Sequence, residues 1–252
     1  MYKQHKIGVV IPAYNVEMHL NSTVEELPNI IDRIYVIDDG SSDNTASVVE
    51  DCLRSNVCLI RHTTNRGPGA AMVTGYKEAL KDQMDIIVKL DGDGQMLSTN
   101  IESLIYPIIE KKADYTKGDR LSDSKNRRPI PKFRLFGNLL LTYLTRIASG
   151  YWHVNDTQNG FVAISRKALN SINIESIYPY YGYLNDILVR LNVYGFKIQD
   201  VKMKAKYGKE KSSIRLRRYV PKVSLFLLSK LLWRLKAKYL IFLKTDSEYT
   251  KV

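Results

Sequence analysis

Two aspartates separated by one glycine follow a short apolar run. The run covers residues 86–90, and Asp91, Gly92 and Asp93 come directly after it, with Gln95 close behind. A short apolar run that ends in glycine is typical of a buried strand, and open α/β sheets bind ligands at the carboxyl ends of their strands. Gly92 would allow a bulky group to approach the backbone between the acids. The carboxylates suit Mg²⁺ or Mn²⁺ carrying a diphosphate, whereas the alternative is a simple turn.

The composition is that of a globular chain with a basic excess. The 252 residues are 44% hydrophobic and 25% charged, enough for one large domain or a domain with an appendage. Lys and Arg number 38 against 26 Asp and Glu, a net charge of +12. Such an excess suggests a polyanionic partner: a phosphorylated substrate, an anionic lipid or nucleic acid. No signal peptide or long apolar run is visible, so we expect no typical transmembrane helix.

Strands and helices alternate through the first hundred residues. Apolar runs at 7–12, 34–37, 57–61 and 86–90 predict strands, and segments with helical apolar spacing separate them. Alternation of this kind predicts an α/β fold in which a mainly parallel sheet has helices on both faces. The acidic and glycine-rich loops then meet at one edge of the sheet.

These loops contain the parts that a nucleotide needs. Asp38 or Asp39 can accept hydrogen bonds from a base or ribose. Arg66 and the helix N-terminus near Gly69 can face phosphate. The glycine loop matches neither the phosphate-binding loop of nucleotide triphosphatases nor the dinucleotide fingerprint after a first strand.

Four short segments carry a resemblance to a known family. They are residues 12–15 (Pro-Ala-Tyr-Asn), 38–45 (Asp-Asp-Gly-Ser-Ser-Asp-Asn-Thr), 65–71 (Asn-Arg-Gly-Pro-Gly-Ala-Ala) and 91–95 (Asp-Gly-Asp-Gly-Gln). Their order and spacing resemble glycosyltransferase family 2, most closely its dolichyl-phosphate-mannose-synthase-like and polyprenyl-phosphate sugar transferase branch. The resemblance implies a GT-A fold, a nucleotide-diphosphate sugar donor and inversion at the anomeric carbon.

The resemblance also implies roles for residues of the first half. Pro12, Tyr14 and Asp39 look like base and ribose contacts. The acids of the 91–95 segment look like the metal and diphosphate motif, and Gln95 resembles the glutamine that supports that motif.

Further candidates lie in the second half. Arg120 can face a phosphate, or it can be a solvated arginine. Asp156 begins a stretch similar to the family's Asp-x-x-Asn-Gly-Phe, which lines the acceptor side of the donor sugar; a turn aspartate is the alternative. Asp186 stands where many members carry the catalytic base. A base is needed for a sugar hydroxyl acceptor but not for an anionic polyprenyl phosphate, with which Asp186 would only orient groups.

A basic segment near the C-terminus resembles the family loop that closes over the donor. Lys211, Ser212 and Arg215 are its candidate phosphate contacts.

The last part of the chain predicts a basic amphipathic helix. An apolar stripe and a flank of Lys and Arg between 220 and 244 are typical of a helix in an anionic membrane interface. The stripe consists of Val223, Phe226, Leu227, Leu231 and Leu235. The alternatives are packing on the catalytic domain or on a second copy, which would form a homo-oligomer. We therefore predict a catalytic domain over 1–218 and a helical appendage over 219–252.

Together these patterns predict a metal-dependent, inverting glycosyltransferase that uses Mn²⁺ or Mg²⁺. It would move a sugar from a nucleotide-diphosphate sugar to a polyprenyl phosphate or a saccharide. We expect it to be cytoplasmic, peripheral on the inner face of the membrane, and not to bind nucleic acid. The alternative functions are a nucleotidyltransferase acting on sugar phosphates and a non-catalytic membrane-binding protein with a degenerate site.

Overall fold

The computed structural model describes residues 1–52, 54–123, 132–204 and 216–249. One sheet organises these residues. Its strands are β1 Ile7–Ala13, β2 Arg33–Asp38, β3 Val57–Arg61, β4 Ile86–Lys89, β5 Tyr115–Asp119, β6 Val162–Ser165 and β7 Ile198–Lys202.

The strand order is β3-β2-β1-β4-β6-β5-β7. β6 runs antiparallel to its two neighbours, and the other pairs are parallel. All strands except β6 therefore point the same way, and their carboxyl ends share one edge. The predicted mainly parallel α/β sheet is confirmed, and β3 and β7 are its edge strands.

Helices cover both faces of the sheet. They are α1 Glu17–Glu25, α2 Thr45–Glu50, α3 Pro68–Lys81, α4 Ile101–Ile109, α5 Lys132–Ser149, α6 Arg166–Ser171, α7 Tyr183–Val193 and α8 Leu216–Tyr249. Alternate residues of one strand belong to different cores: Val10 lies in the cluster that contains Met72 of α3, whereas Val9 lies in the cluster that contains Leu104 of α4. This two-sided burial explains why the central strands are almost continuously apolar.

A third apolar cluster joins α5, α7 and α8. Its buried members include Leu141 of α5, Val189 of α7, and Val223 and Leu227 of α8. Leu231, partly buried, packs against the same cluster. The stripe predicted to enter a membrane is therefore mostly packed on the domain, and that part of the prediction is wrong. The helix carries a second apolar stripe, and spacing alone does not say which stripe turns inward.

None of the helices in the described ranges is both long and apolar enough to cross a membrane. The division of the chain at residue 218 stays a prediction.

Candidate active site

A cavity of about 130 Å³ opens where the sheet strands end. Its lining includes Asp91, Asp93 and Gln95 after β4, Arg120 after β5 and Lys204 after β7. The two carboxylates expected to bind a metal thus share one crevice, together with two basic side chains. This arrangement is suited to a phosphorylated ligand.

The two carboxylates have different surroundings. An oxygen of Asp93 accepts a hydrogen bond from the backbone N–H of Gln95 at 3.0 Å, which fixes a turn after the acid pair. Asp91 Oδ1 forms an ion pair with the Nζ of Lys89, and the Asp91 side chain is 37% exposed. Gly92 is buried, and a Cβ there would contact Ile11 at an ordinary 3.4 Å, so that side of Gly92 faces the core. The expectation that a ligand approaches the backbone at Gly92 stays a prediction.

Lys89 was not among the predicted site residues. Its side chain is 3% exposed and lies directly behind Asp91. A Cβ on Gly160 would come within 2.3 Å of Lys89 Nζ and 2.9 Å of Asp91 Oδ2, so the glycine makes room for this pair. A lysine inside an otherwise apolar strand was the available signal, because an isolated buried charge is costly.

A second buried lysine supports the cavity from β5. The Nζ of Lys117 donates a hydrogen bond to the backbone oxygen of Asn159, which lines the cavity. Asn159 Nδ2 in turn donates to the Gly118 oxygen at 2.8 Å. Burial lowers the pKa of Lys117 to about 7. Sequence reasoning missed this residue, although it too is a lysine within a strand.

Arg120 and Asp156 form a bidentate ion pair. Arg120 Nε lies 2.7 Å from Asp156 Oδ2, and Arg120 Nη2 lies 3.2 Å from Oδ1. Asp156 is fully buried, whereas Arg120 lines the cavity. Asp156 is therefore placed to orient the arginine; its predicted role beside a donor sugar stays a prediction.

The carboxylates of Asp38 and Asp39 are paired with groups of their own and a neighbouring loop. Asp39 Oδ1 accepts from the N–H of Arg66 at 2.9 Å and lies 2.6 Å from His62 Nδ1, while Oδ2 accepts from the N–H of Gly67 at 2.8 Å. Asp38 Oδ1 accepts from the N–H of Ser41 at 2.9 Å. Both acids are buried, so in this structure they shape the loops around them.

Three of the residues predicted to contact the sugar-nucleotide donor lie near this loop. Tyr14 is 49% exposed, Pro12 is half-buried, and the Arg66 side chain is exposed. The loop that carries Tyr14 is tied to the acidic loop, because the N–H of Asn15 donates to Ser41 Oγ at 3.0 Å. These exposed side chains are available to a ligand.

The N-terminus of α3 differs from expectation. The N–H groups of Gly69 and Ala70 donate to the Pro179 oxygen at 2.8 and 3.1 Å. A Cβ on Gly69 would lie 2.1 Å from the Tyr178 oxygen, so the glycine permits this close crossing. The donors expected to face phosphate are thus occupied by a loop distant in sequence.

Asp186, the candidate base, is fully buried at the start of α7. Its Oδ2 accepts from the Tyr178 N–H at 2.9 Å and from Arg190 Nη2 at 3.2 Å. Lys230 Nζ of α8 lies 2.8 Å from Oδ1 as an ion pair. Asp186 thus ties α8 to the loop that crosses α3. Its neighbour Asn185 reaches the cavity indirectly, through Gln158 at 3.3 Å.

The predicted phosphate contacts Lys211, Ser212 and Arg215 lie outside the described residues.

The sequence model described as Glycosyl transferase family 2 matches residues 8–172. The chain belongs to glycosyltransferase family 2. A UDP-N-acetylglucosamine–dolichyl-phosphate N-acetylglucosaminyltransferase from Methanococcus voltae is 32% identical, over 80% of this chain and 86% of the relative. A polyprenol monophosphomannose synthase from Mycolicibacterium smegmatis is 25% identical, over 77% and 74%.

Solved structures share the fold. Glucosyl-3-phosphoglycerate synthase from Mycobacterium tuberculosis, in complex with Mn²⁺, uridine diphosphate and glucosyl-3-phosphoglycerate, has a TM-score of 0.67 at 19% identity, covering 92% of this chain and 80% of that one. The predicted GT-A fold, family and glycosyltransferase class are confirmed. The nucleotidyltransferase and non-catalytic alternatives are set aside.

The residues present fit a divalent cation. Mg²⁺ and Mn²⁺ sites commonly use one or two carboxylates and fill the other positions with substrate phosphate and water. Asp91 and Asp93 supply two such carboxylates on one cavity. Within the described part of the chain, no group of three or more His, Cys, Asp or Glu side chains is arranged to hold a metal.

Proposed function

We propose that this family 2 glycosyltransferase moves a sugar from a nucleotide-diphosphate sugar to a polyprenyl phosphate, with inversion and with Mn²⁺ or Mg²⁺. The observation that carries the proposal is that Asp91, Asp93 and Arg120 line the same cavity at the carboxyl edge of the sheet. In a chain of this family, that combination supports binding of a diphosphate at the acid pair. The M. voltae relative, named for a dolichyl-phosphate acceptor, supports the acceptor class.

Different residues of the chain would bind different parts of the sugar-nucleotide donor. Pro12 and the exposed Tyr14 would contact the base and ribose, in a loop shaped by Asp38 and Asp39. Arg66 would face phosphate through its exposed side chain.

At the diphosphate, Asp91 and Asp93 would hold the cation, and Gln95 would support their turn. A bound cation would offset the charge of the departing diphosphate. Lys211, Ser212 and Arg215 would close over the donor.

The surroundings of Asp186 favour a phosphate acceptor over a saccharide. A base must be free to take a proton, yet the Asp186 carboxylate is buried against Lys230 and Arg190. A polyprenyl phosphate oxygen is already anionic and needs no base. Lys204 adds positive charge to the cavity wall, where such an acceptor would enter, and Arg120, which is held by Asp156, offers N–H donors to it. In this scheme Asp186 orients the neighbouring loop.

We further propose that the enzyme works on the inner face of a membrane as a cytoplasmic, peripheral protein. A lipid-linked acceptor would be found there, and the net charge of +12 supports attraction to an anionic surface.

The test is transfer by the purified full chain. UDP-N-acetylglucosamine, UDP-glucose and GDP-mannose are offered with a polyprenyl phosphate in detergent, with Mn²⁺ or with a chelator. We expect transfer from one donor, loss with chelator, and loss of about 100-fold or more in Asp93→Asn, because charge stabilisation at the leaving group is removed. Asp51→Asn, which changes an exposed acid on α2's end, is the control.

The anomeric configuration of the product, read by NMR, tests inversion. Transfer that survives both the chelator and Asp93→Asn would contradict the metal assignment. Transfer to saccharides but not to polyprenyl phosphate would contradict the acceptor.

A further inference from the structure

The outer face of α8 carries a row of exposed apolar side chains. They recur at alternating intervals of three and four residues, which places them on one stripe of the helix. The row is Leu225, Leu228, Leu232, Leu235 and Tyr239, with exposed fractions between 54% and 71%. Of the stripe predicted from sequence, Leu235 alone belongs to this row.

α5 adds a second row. Phe136, Leu140 and Tyr143 follow the same spacing, and their exposed fractions are 67%, 37% and 55%. Trp152, 59% exposed, contacts Tyr143 edge to face with ring centroids 6.4 Å apart. We call the two rows with Trp152 the outer helical face. This many exposed large apolar side chains on two helices that share one buried cluster are typical of an interaction site rather than of ordinary protein surface.

Both helices are held with these rows turned outward. Their opposite sides meet in the cluster with Val189 of α7, where Leu227 of α8 and Leu141 of α5 are buried. Arg234 Nη2 of α8 also donates to the Ile147 oxygen of α5 at 3.2 Å. Because each helix buries another side in this cluster, both outer rows face away from the cluster.

The charges around the outer helical face select its partner. No Asp or Glu occurs at 132–155 or at 211–245. Lys222, Lys236 and Lys238 are exposed beside the α8 row. A second copy docked through this face would bring lysines against lysines, whereas an anionic lipid surface attracts each of them.

We propose that the outer helical face docks on an anionic lipid bilayer, with its leucine and aromatic side chains in the interface and its lysines at the headgroups. This deepens the proposed function and rests on it for the reason to be at a membrane. Trp and Tyr suit the interface because each has an apolar ring and a polar group. The ion pair of Lys230 with Asp186 fixes α8 to the catalytic domain, so the domain docks as one body.

The test is flotation of the full chain with lipid vesicles. Phosphatidylcholine vesicles are compared with vesicles that also contain phosphatidylglycerol, and light scattering measures the oligomeric state. We expect flotation only with phosphatidylglycerol. Leu228→Ser with Leu232→Ser should reduce the bound fraction at least tenfold, and so should Lys236→Glu with Lys238→Glu. Met18→Ser with Tyr106→Ser, which removes exposed apolar side chains from α1 and α4, is the matched control and should float like the wild type.

Failure of this inference is separable from failure of the proposed function. Transfer in detergent with no flotation would overturn the docking surface and leave the function standing; flotation without transfer would do the reverse. Undiminished flotation of the leucine variant would overturn the inference. So would a dimer in the wild type that the leucine variant converts to monomer, because the face would then bind a second copy.

Discussion

The two acid pairs of this chain look alike in sequence and differ in the fold. Asp38 ends β2 and Asp39 follows it, whereas Asp91 and Asp93 come after β4, so both pairs lie at the carboxyl edge of the sheet. Asp38 and Asp39 are buried and accept hydrogen bonds from their own chain. Asp91 and Asp93 line an open cavity. An acid pair at a strand end can therefore build a loop or face a ligand, and its neighbours decide which.

The largest expected effect is the loss of stability when the buried acid pair, Asp38 and Asp39, is changed. Asp39→Ala would leave the part-buried N–H of Arg66 and the buried N–H of Gly67 without an acceptor, and a buried group left in this way costs about 1–3 kcal/mol. We expect the free energy of unfolding to fall by about 3 kcal/mol or more, measured by denaturant titration. Asp93→Asn should stay within about 0.5 kcal/mol of the wild type. An Asp39→Ala protein of normal stability that fails to bind nucleotide would reverse the assignment, and Asp39 would be a ligand contact as the family resemblance implies.

The next effect concerns Lys117, the buried lysine that supports the cavity lined by Asp91 and Asp93. Burial lowers the pKa of Lys117 from 10.5 to about 7, so between these pH values the unfolded chain binds the proton more readily than the folded one. The wild type should therefore gain stability as pH rises above 7, by at most about 1.4 kcal/mol per pH unit relative to Lys117→Met. Unfolding titrations at pH 7.5 and 9 measure this. The exposed Lys202→Met should track the wild type, and a Lys117→Met difference that is flat with pH would refute the prediction.

The smallest effect is on the affinity of Asp91 and Asp93 for Mn²⁺. Lys89 neutralises Asp91, so Lys89→Met should free that carboxylate and tighten Mn²⁺ binding about tenfold in the absence of donor. Electron paramagnetic resonance of free Mn²⁺ measures the affinity. Lys77→Met removes a surface ion pair with Glu175 and should leave it unchanged. Equal or weaker Mn²⁺ binding in Lys89→Met would show that Asp91 does not face the cation.

Neighbouring residues of one element also differ in their surroundings, both in β4 and in α8. Val88 and Lys89 are adjacent in one strand, yet burial of the lysine makes sense only once Asp91 is placed beside it. Val223 and Leu225 are two residues apart in one helix, yet one is buried and the other is 71% exposed. In each case the local spacing of residues predicts the strand or helix, but not which groups each side chain contacts in the fold.

The sequence by itself determined the alternation of strands and helices, the mainly parallel sheet, the family and the placing of Asp91 and Asp93 at a strand end. These follow from local propensity, apolar periodicity and short-range motif spacing. Only the tertiary structure decided that the N-terminus of α3 is covered by Pro179, that Asp186 pairs with Lys230, and which stripe of α8 turns outward. Each of these depends on contacts between segments far apart in the chain, whose geometry no local pattern specifies.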